Sequence, residues 1–166
     1  MWVRHKNSGF TIVELLIVIV IIGILAAIVV VAYTGITNSA KESAIKSDLV
    51  NVKKKMLVYK VTNGTYPTST IQLSAADIKA SKTIYDTTAN NFYYCYNRAT
   101  DEFAIGARTV SNSVAYINSS SGDLQKVAGV GADNACQAIG LSGWADSDAF
   151  NSSGHASGSG WQSWVK

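Results

Sequence analysis

The sequence predicts an α+β protein in which one long N-terminal helix is followed by a small antiparallel β-sheet. An uncharged apolar run over residues 15–33 forms the first part of the helix. Beyond this run, apolar side chains recur every three or four residues on one helix face: Ile45, Leu49, Val52, Met56 and Tyr59. Four short strand-like segments then follow, separated by turn residues, and their close spacing favours antiparallel pairing over parallel crossovers.

The long helix is predicted over residues 10–62 and has two parts. Residues 10–36 are apolar all round, which is typical of a helix in lipid or in a filament core. The apolar run is long enough to span a bilayer, which takes roughly 20 residues at about 1.5 Å rise each. Residues 37–62 are amphipathic, and their stripe is interpreted as covering the core of the folded body, since it is too short for a free coiled coil. Asn63-Gly64 ends the helix, and Pro67 blocks its continuation.

Residues 63–166 are predicted to form a globular head. A polar connector over residues 68–90 is predicted to contain a short helix that Ser74 caps and that runs to residue 82. The strands are predicted at residues 92–98, 102–108, 114–118 and 124–127, and a helical turn carrying a cysteine is predicted at 133–139. The Ser/Gly-rich segment 151–160 is expected to be mobile. Trp144 is expected to pack against the sheet, whereas Trp161 and Trp164 either pack there or form an adhesive surface.

The residues before the apolar run exclude the commoner membrane-targeting segments. The small pair Ser8-Gly9 directly precedes Phe10, and the carboxylate of Glu14 lies four residues later. A secretory signal peptide has its cleavage site after a shorter apolar region, of roughly 7–15 residues. A plain membrane anchor needs neither the small pair nor the carboxylate, and a carboxylate beside an apolar run requires a partner.

This N-terminus resembles the precursors of type IV pilins and of the pseudopilins of type II secretion. The resemblance implies that a prepilin peptidase cuts between Gly9 and Phe10, removes the leader 1–9 and N-methylates the new terminus. It implies that Glu14 pairs with the methylated amine of Phe10 on a neighbouring subunit. The string at residues 63–67 also resembles the segment after the long helix in this family. The fold implied is pilin-like, with the C-terminal half of the helix packed on the antiparallel sheet.

One position departs from the family pattern. Its members commonly have a proline about halfway along the apolar helix, and this chain has Val31 there. Proline removes a backbone donor and kinks a helix. We therefore expect the helix to stay continuous through Val31.

The two cysteines, Cys95 and Cys136, both follow the apolar run. Outside the cytoplasm they can form a disulfide, which would close a loop of roughly 40 residues and stabilise the fold by about 4 kcal/mol. The alternative is a pair of buried or reduced thiols. A zinc site is not expected, because two isolated cysteines with the distant His5 and His155 do not make a ligand set.

Neither catalysis nor a cofactor is predicted. Cleavage of the leader is expected to remove His5, and His155 lies in the Ser/Gly-rich tail. No serine has the sequence context of a nucleophile elbow, and no carboxylate pair has an evident base. Asp146 and Asp148 could belong to a calcium-binding loop, as in some major pseudopilins. Their spacing is not that of an EF-hand, however, and we favour roles as helix caps or turn residues.

We therefore expect a structural subunit of a type IV pilus-like surface filament. The alternatives are a pseudopilin of a type II secretion or DNA-uptake machine, and a membrane-anchored adhesin or binding module that does not polymerise. The resemblance implies as partners other copies of the chain, membrane lipid before assembly, prepilin peptidase, an assembly ATPase and a membrane platform protein. The net charge of +3 is too small to indicate nucleic-acid binding by itself, and the sequence leaves open whether the chain binds nucleic acid. Because these peptidases cut on the cytoplasmic face, the N-terminus is expected inside and the body outside.

Overall fold

The computed structural model describes residues 9–110, 115–127 and 132–166. Within these ranges the chain forms three α-helices and six β-strands, which confirms the predicted α+β class. The helices are α1 (Ile12–Asn63), α2 (Thr70–Ala75) and α3 (Ala132–Gln137). The strands are β1 (Asn91–Asn97), β2 (Glu102–Arg108), β3 (Ala115–Ser119), β4 (Gln125–Val127), β5 (Ala149–Ala156) and β6 (Gly160–Trp161). The chain divides into two units, Met1–Ser39 and Ala40–Lys166.

The first unit contains the apolar part of α1. From residue 12 to residue 36, every large apolar side chain has half or more of its surface exposed. The helix contains Val31 without a break, as the absence of proline predicts. Its continuity in an assembled filament stays a prediction.

The second unit contains a six-stranded sheet with the strand order β4-β3-β2-β1-β5-β6. Every neighbouring pair of strands is antiparallel. The first four strands agree with the predicted ones to within about one residue at each end, apart from residue 114, which lies outside the described residues. Gly64 follows the last residue of α1 with a φ of 84°, so the predicted end of the helix is confirmed.

One face of the sheet packs against the stripe on α1. Four stripe residues have exposed fractions of 0 to 1%: Ile45, Leu49, Val52 and Met56. Tyr59, the fifth, packs at the edge of the same cluster. The buried Asn118 of β3 donates from Nδ2 to the backbone oxygen of Leu49 at 3.3 Å, and Lys53 donates from Nζ to the oxygen of Gly122 at 2.6 Å. These contacts fix this part of α1 on the sheet, so the predicted packing is confirmed.

The other face of the sheet carries the disulfide. Side chains alternate along β1, so Cys95 points away from the face that Phe92 and Tyr94 share with α1. Cys95 is bonded to Cys136 of α3, with 5.2 Å between their Cα atoms, and both residues are fully buried. The predicted helical turn around Cys136 is therefore present, and the disulfide joins it to the central strand.

The expectation of a mobile tail at residues 151–160 is wrong. Most of this segment forms β5, which pairs with β1 from Asn91↔His155 to Asn97↔Ala149, and it leads into β6. Trp164 is 1% exposed and donates from Nε1 to Oγ of Ser152 at 3.0 Å. Trp161 is partly buried against the same core, so both tryptophans pack.

Two further expectations about the head are wrong. The short helix lies at Thr70–Ala75, capped by Ser69, because the Oγ of Ser69 accepts the N–H of Gln72 at 3.3 Å. The predicted helix from Ser74 to residue 82 does not form. Trp144 does not pack into the core, since 56% of its surface is exposed.

Candidate functional site

The expected processing site lies just ahead of α1. Gly9 and Phe10 precede the first residue of the helix, and both are exposed, Phe10 by 88% of its surface. Ser8 lies outside the described residues. A protease needs its target peptide in a non-helical, accessible form. The Gly9–Phe10 bond has both properties.

Glu14 is held in the first turn of α1 by Thr11. The backbone N–H and the hydroxyl of Thr11 both donate to Oε2 of Glu14, each at 2.8 Å. In return, the N–H of Glu14 donates to Oγ1 of Thr11 at 3.2 Å. The oxygen of Thr11 accepts the first helical bond, from Leu15. Thr11 is therefore the N-cap and Glu14 the third helical residue of a capping box.

The sequence analysis did not identify this capping box, although its signal is present in the sequence. A threonine followed three residues later by a glutamate, directly before an apolar run, is the usual signature. The box changes the interpretation of Glu14, because its carboxylate has a local partner before any cleavage. Both donors reach Oε2, and within the part of the chain that the structure describes Oε1 accepts no hydrogen bond. The box therefore leaves one carboxylate oxygen for a further donor.

The apolar surface next to this box is large. Within the described residues, one helix is long and apolar enough to cross a membrane, with a mean hydropathy of 3.6 over its best window. None of that window is buried by the rest of the chain. Such a surface requires lipid or other apolar helices around it. The carboxylate therefore lies at one end of a surface that must be covered.

The other candidate residues have structural roles. Oδ2 of Asp146 accepts from the N–H and the hydroxyl of Ser142, and Oδ1 accepts the N–H of Asp148. These bonds, the one from the Ser142 N–H first, lower the pKa of Asp146. The residue acts in a turn, the role that the sequence favoured. His155 is 5% exposed and lies edge-on to Trp161 in the sheet. Across residues 9–110, 115–127 and 132–166, no group of three or more acidic, histidine or cysteine side chains is placed to hold a metal ion.

Comparison with known proteins agrees with this geometry. Residues 4–30 match the model of the prokaryotic N-terminal methylation motif. The chain is 38% identical over 78 residues to the type II secretion system core protein G of Klebsiella michiganensis, which covers 47% of this chain and 55% of the relative. It is 39% identical over 72 residues to that of Aeromonas hydrophila, covering 43% and 50%, and 38% identical over 72 residues to that of Pseudomonas aeruginosa, covering 43% and 51%.

The chain spans about half the length of the relatives it matches. The methylation motif covers the expected processing site, the capping box and most of the apolar part of α1. Together with the long helix and its antiparallel sheet, the motif and the partial matches make the chain similar to the type IV pilins and type II secretion pseudopilins.

Proposed function

We propose that this chain is a structural subunit that polymerises through the apolar part of α1 into a type IV pilus-like filament. The observation that carries the proposal is the order of features at the N-terminus. An accessible Gly9–Phe10 bond is followed by a capped carboxylate and then by an exposed apolar helix. Cleavage there would expose a cation beside an apolar helix surface that can exchange its lipid contacts for packing against like helices.

Processing is proposed to remove residues 1–9 and to leave Phe10 as an N-methylated terminus. Thr11 and Glu14 both stay on the mature chain, so the capping box survives the cut. A prepilin peptidase is the proposed processing enzyme, and Ser8 with Gly9 supplies the small residues before the bond. The N-terminus lies on the cytoplasmic side in this proposal, and the head lies outside.

In the assembled filament, Glu14 is proposed to accept a bond from the Phe10 amine of a neighbouring subunit. A carboxylate near the edge of the hydrocarbon layer is costly without a partner, and a cation offsets that cost. The apolar helices replace lipid contacts with one another, so the run stays covered throughout. The assembly ATPase and the membrane platform protein are the proposed machinery, and other copies of this chain are the main partners. No catalytic activity is proposed, since members of this family are structural proteins.

A pseudopilus is the second candidate for the filament. The relatives reported above are core G proteins of type II secretion systems, which favours this alternative specifically. Deleting the gene for this chain in its native host distinguishes a pilus from a pseudopilus. Loss of protein secretion without loss of surface fibres supports the pseudopilus, and the reverse result supports the pilus.

Electron microscopy of sheared surface fractions, together with mass spectrometry of the N-terminus, tests the main proposal. Fibres whose subunits begin at N-methylated Phe10 are expected. Subunits that retain residues 1–9 within fibres would contradict the processing step.

Two variants separate the charge of Glu14 from its capping role. Glu14→Gln keeps an acceptor for Thr11, since glutamine also serves in a capping box, but removes the charge. Thr11→Ala keeps the charge and weakens the box, at a cost of about 1 kcal/mol in helix stability. We expect Glu14→Gln to abolish fibres and Thr11→Ala to retain most of them. Fibres from Glu14→Gln at the wild-type level would overturn the assembly role.

A further inference from the structure

A groove runs between α1 and residues 78–81 in the second unit. Its volume is about 670 Å³. Its accessible apolar lining includes Val58, which is 66% exposed, and the partly buried Ala80, whereas Val52 and Ile78 are almost fully buried. A surface of this size and composition is suited to receive a large apolar side chain. We call it the lysine groove, because Lys54, Lys55 and Lys79 also line it.

Two of these lysines have no carboxylate partner within the described part of the chain. Lys55 forms an ion pair with Asp77 at 3.0 Å. Asp77 is not among the residues that line the groove, and Asp48, the one acid that the described lining contains, accepts the N–H of Ser81 and the hydroxyl of Tyr85, each at 2.8 Å. Lys54 and Lys79 are exposed and unneutralised. The lysine groove therefore combines an apolar floor with two available cations.

A segment of complementary chemistry lies elsewhere on the same head. Residues 144–148, which we call the Trp144 loop, read Trp-Ala-Asp-Ser-Asp. Trp144 is the one exposed aromatic side chain among the described residues of the second unit. Asp146 and Asp148 follow it, and neither forms an ion pair in the described ranges. The loop thus presents a large apolar side chain beside two anions.

The Trp144 loop is held in shape by hydrogen bonds at both ends. Asn151 donates from Nδ2 to the backbone oxygen of Trp144 at 2.8 Å. The N–H of Arg98 donates to the oxygen of Asp148 at 2.9 Å, and its Nη1 donates to the oxygen of Ala149 at 2.9 Å. A loop fixed in this way loses little conformational entropy on binding. Its exposed tryptophan is the residue type most enriched at the energetic centres of protein interfaces.

We propose that the lysine groove of one subunit receives the Trp144 loop of a neighbouring subunit. This inference rests on the proposed function, since it requires copies of the chain to lie side by side. The indole of Trp144 covers the apolar floor, while Asp146 and Asp148 face Lys54 and Lys79. Because the groove and the loop are different surfaces of one chain, the contact is heterologous. It repeats from subunit to subunit, as a helical polymer requires.

Site-specific photo-crosslinking in cells that express the full chain tests the contact. A Trp144→p-benzoylphenylalanine variant is irradiated, and both membranes and sheared fibres are analysed by mass spectrometry. Covalent pairs of the chain joined at residues 51–58 or 78–81 are expected. Lys126→p-benzoylphenylalanine, at an exposed position on β4, is the matched control and should give no adduct at the lysine groove.

A charge exchange gives the second measurement. Lys79→Asp and Asp148→Lys should each lower the yield of groove adducts by about fivefold. Each substitution removes one favourable exposed charge pair and places two like charges opposite each other. The double variant should restore the yield of groove adducts. If the single variants lost adducts through misfolding, combining them would not restore the yield. Retention of the Cys95–Cys136 disulfide and of the membrane level serves as the folding control. Two single variants without effect, or a double variant without recovery, would overturn the inference.

The outcomes also separate this inference from the proposed function. Fibres whose adducts lie elsewhere on the chain, or on another protein, overturn the groove contact and leave the filament intact. Groove adducts in membranes of cells whose wild-type chain never enters fibres support the contact and contradict the filament.

Discussion

The substitution Gly154→Ala tests how tightly β5 is packed. Gly154 is buried and lies opposite Phe92 of β1. A Cβ atom added at Gly154 would lie 2.8 Å from Cδ1 of Phe92, 2.9 Å from Cγ2 of Val165 and 3.0 Å from the backbone oxygen of Phe92. Carbon atoms normally approach one another to about 3.5–4.0 Å. The added methyl group therefore has no room unless its neighbours move.

The backbone around Gly154 limits that movement. Phe92 has a φ of 57°, a left-handed conformation that a bulky side chain rarely adopts, and its N–H donates to Oδ1 of Asn91 at 2.7 Å. The oxygen of Gly154 accepts the N–H of Gln162 at 2.8 Å, which ties β5 to the C-terminal segment. Overpacking at sites of this kind costs about 1–3 kcal/mol. We expect Gly154→Ala to lower the free energy of unfolding by that amount.

Urea unfolding of the full chain in detergent, followed by tryptophan fluorescence, measures this change. Ser159→Ala, at an exposed position in the β5–β6 turn, is the matched control and should change stability by less than about 0.5 kcal/mol. A segment that stayed mobile in the folded protein would give a change near zero at Gly154. An ordered position with room for a methyl group would give a stabilisation of about 0.4–1 kcal/mol through the unfolded chain. A Gly154→Ala variant that is stabilised or unchanged would therefore refute the packing argument.

Two further predictions concern the head. Replacing both Cys95 and Cys136 by alanine should lower the free energy of unfolding by about 4 kcal/mol, because the disulfide closes a loop between residues 41 positions apart. Denaturant unfolding measures this loss of stability, and a loss under about 1 kcal/mol would contradict the prediction. Hydrogen bonds from Lys166 and then Lys55 hold the pKa of Asp77 at about 2, below its usual 3.8. The stabilisation from Asp77 is therefore present above about pH 4 and is lost as the pH falls towards 2. Asp77→Asn should flatten the pH dependence of thermal unfolding in that window, and an unchanged profile would argue against the two ion pairs.

The helix and the first four strands were predictable because each has a local signal. The stripe on α1 repeats at the helical period, and its four buried residues follow from that period alone. The strands β1 to β4 combine strand-forming residues with turn residues at short intervals. Their pairing needed no long-range information, because consecutive antiparallel strands lie side by side in this sheet.

β5 was not predictable from local signals. Its residues are small and polar, and that composition is typical of a linker. The strand forms because β1 offers an edge, and the position opposite Phe92 requires glycine for close approach. The same glycine that suggests flexibility in the sequence is therefore needed by the packing. The helix α2 was misplaced for a different reason, since Ser69 and Ser74 both offer caps and only tertiary packing selects between them.

The candidate residues Gly9, Phe10 and Glu14 could be selected from the sequence because they belong to a contiguous motif that needs no tertiary structure to identify it, and their roles stay predictions. The partner of Glu14 was the part that the sequence interpretation missed. Glu14 was expected to have a partner only after cleavage creates the Phe10 amine. In the structure, Thr11 already donates two hydrogen bonds to Oε2 before any cleavage.

This arrangement lowers the cost of placing Glu14 beside an apolar run, because a hydrogen-bonded carboxylate is less costly to desolvate than a bare one. It also fixes the carboxylate at the helix N-terminus, where the helix dipole favours a negative charge. The proposed partner amine would need only Oε1, which Thr11 does not use, so the capping box is compatible with the proposed intersubunit pair. In the proposed filament, the Phe10 amine of a neighbouring subunit would therefore be a second partner for a carboxylate that Thr11 already holds in place.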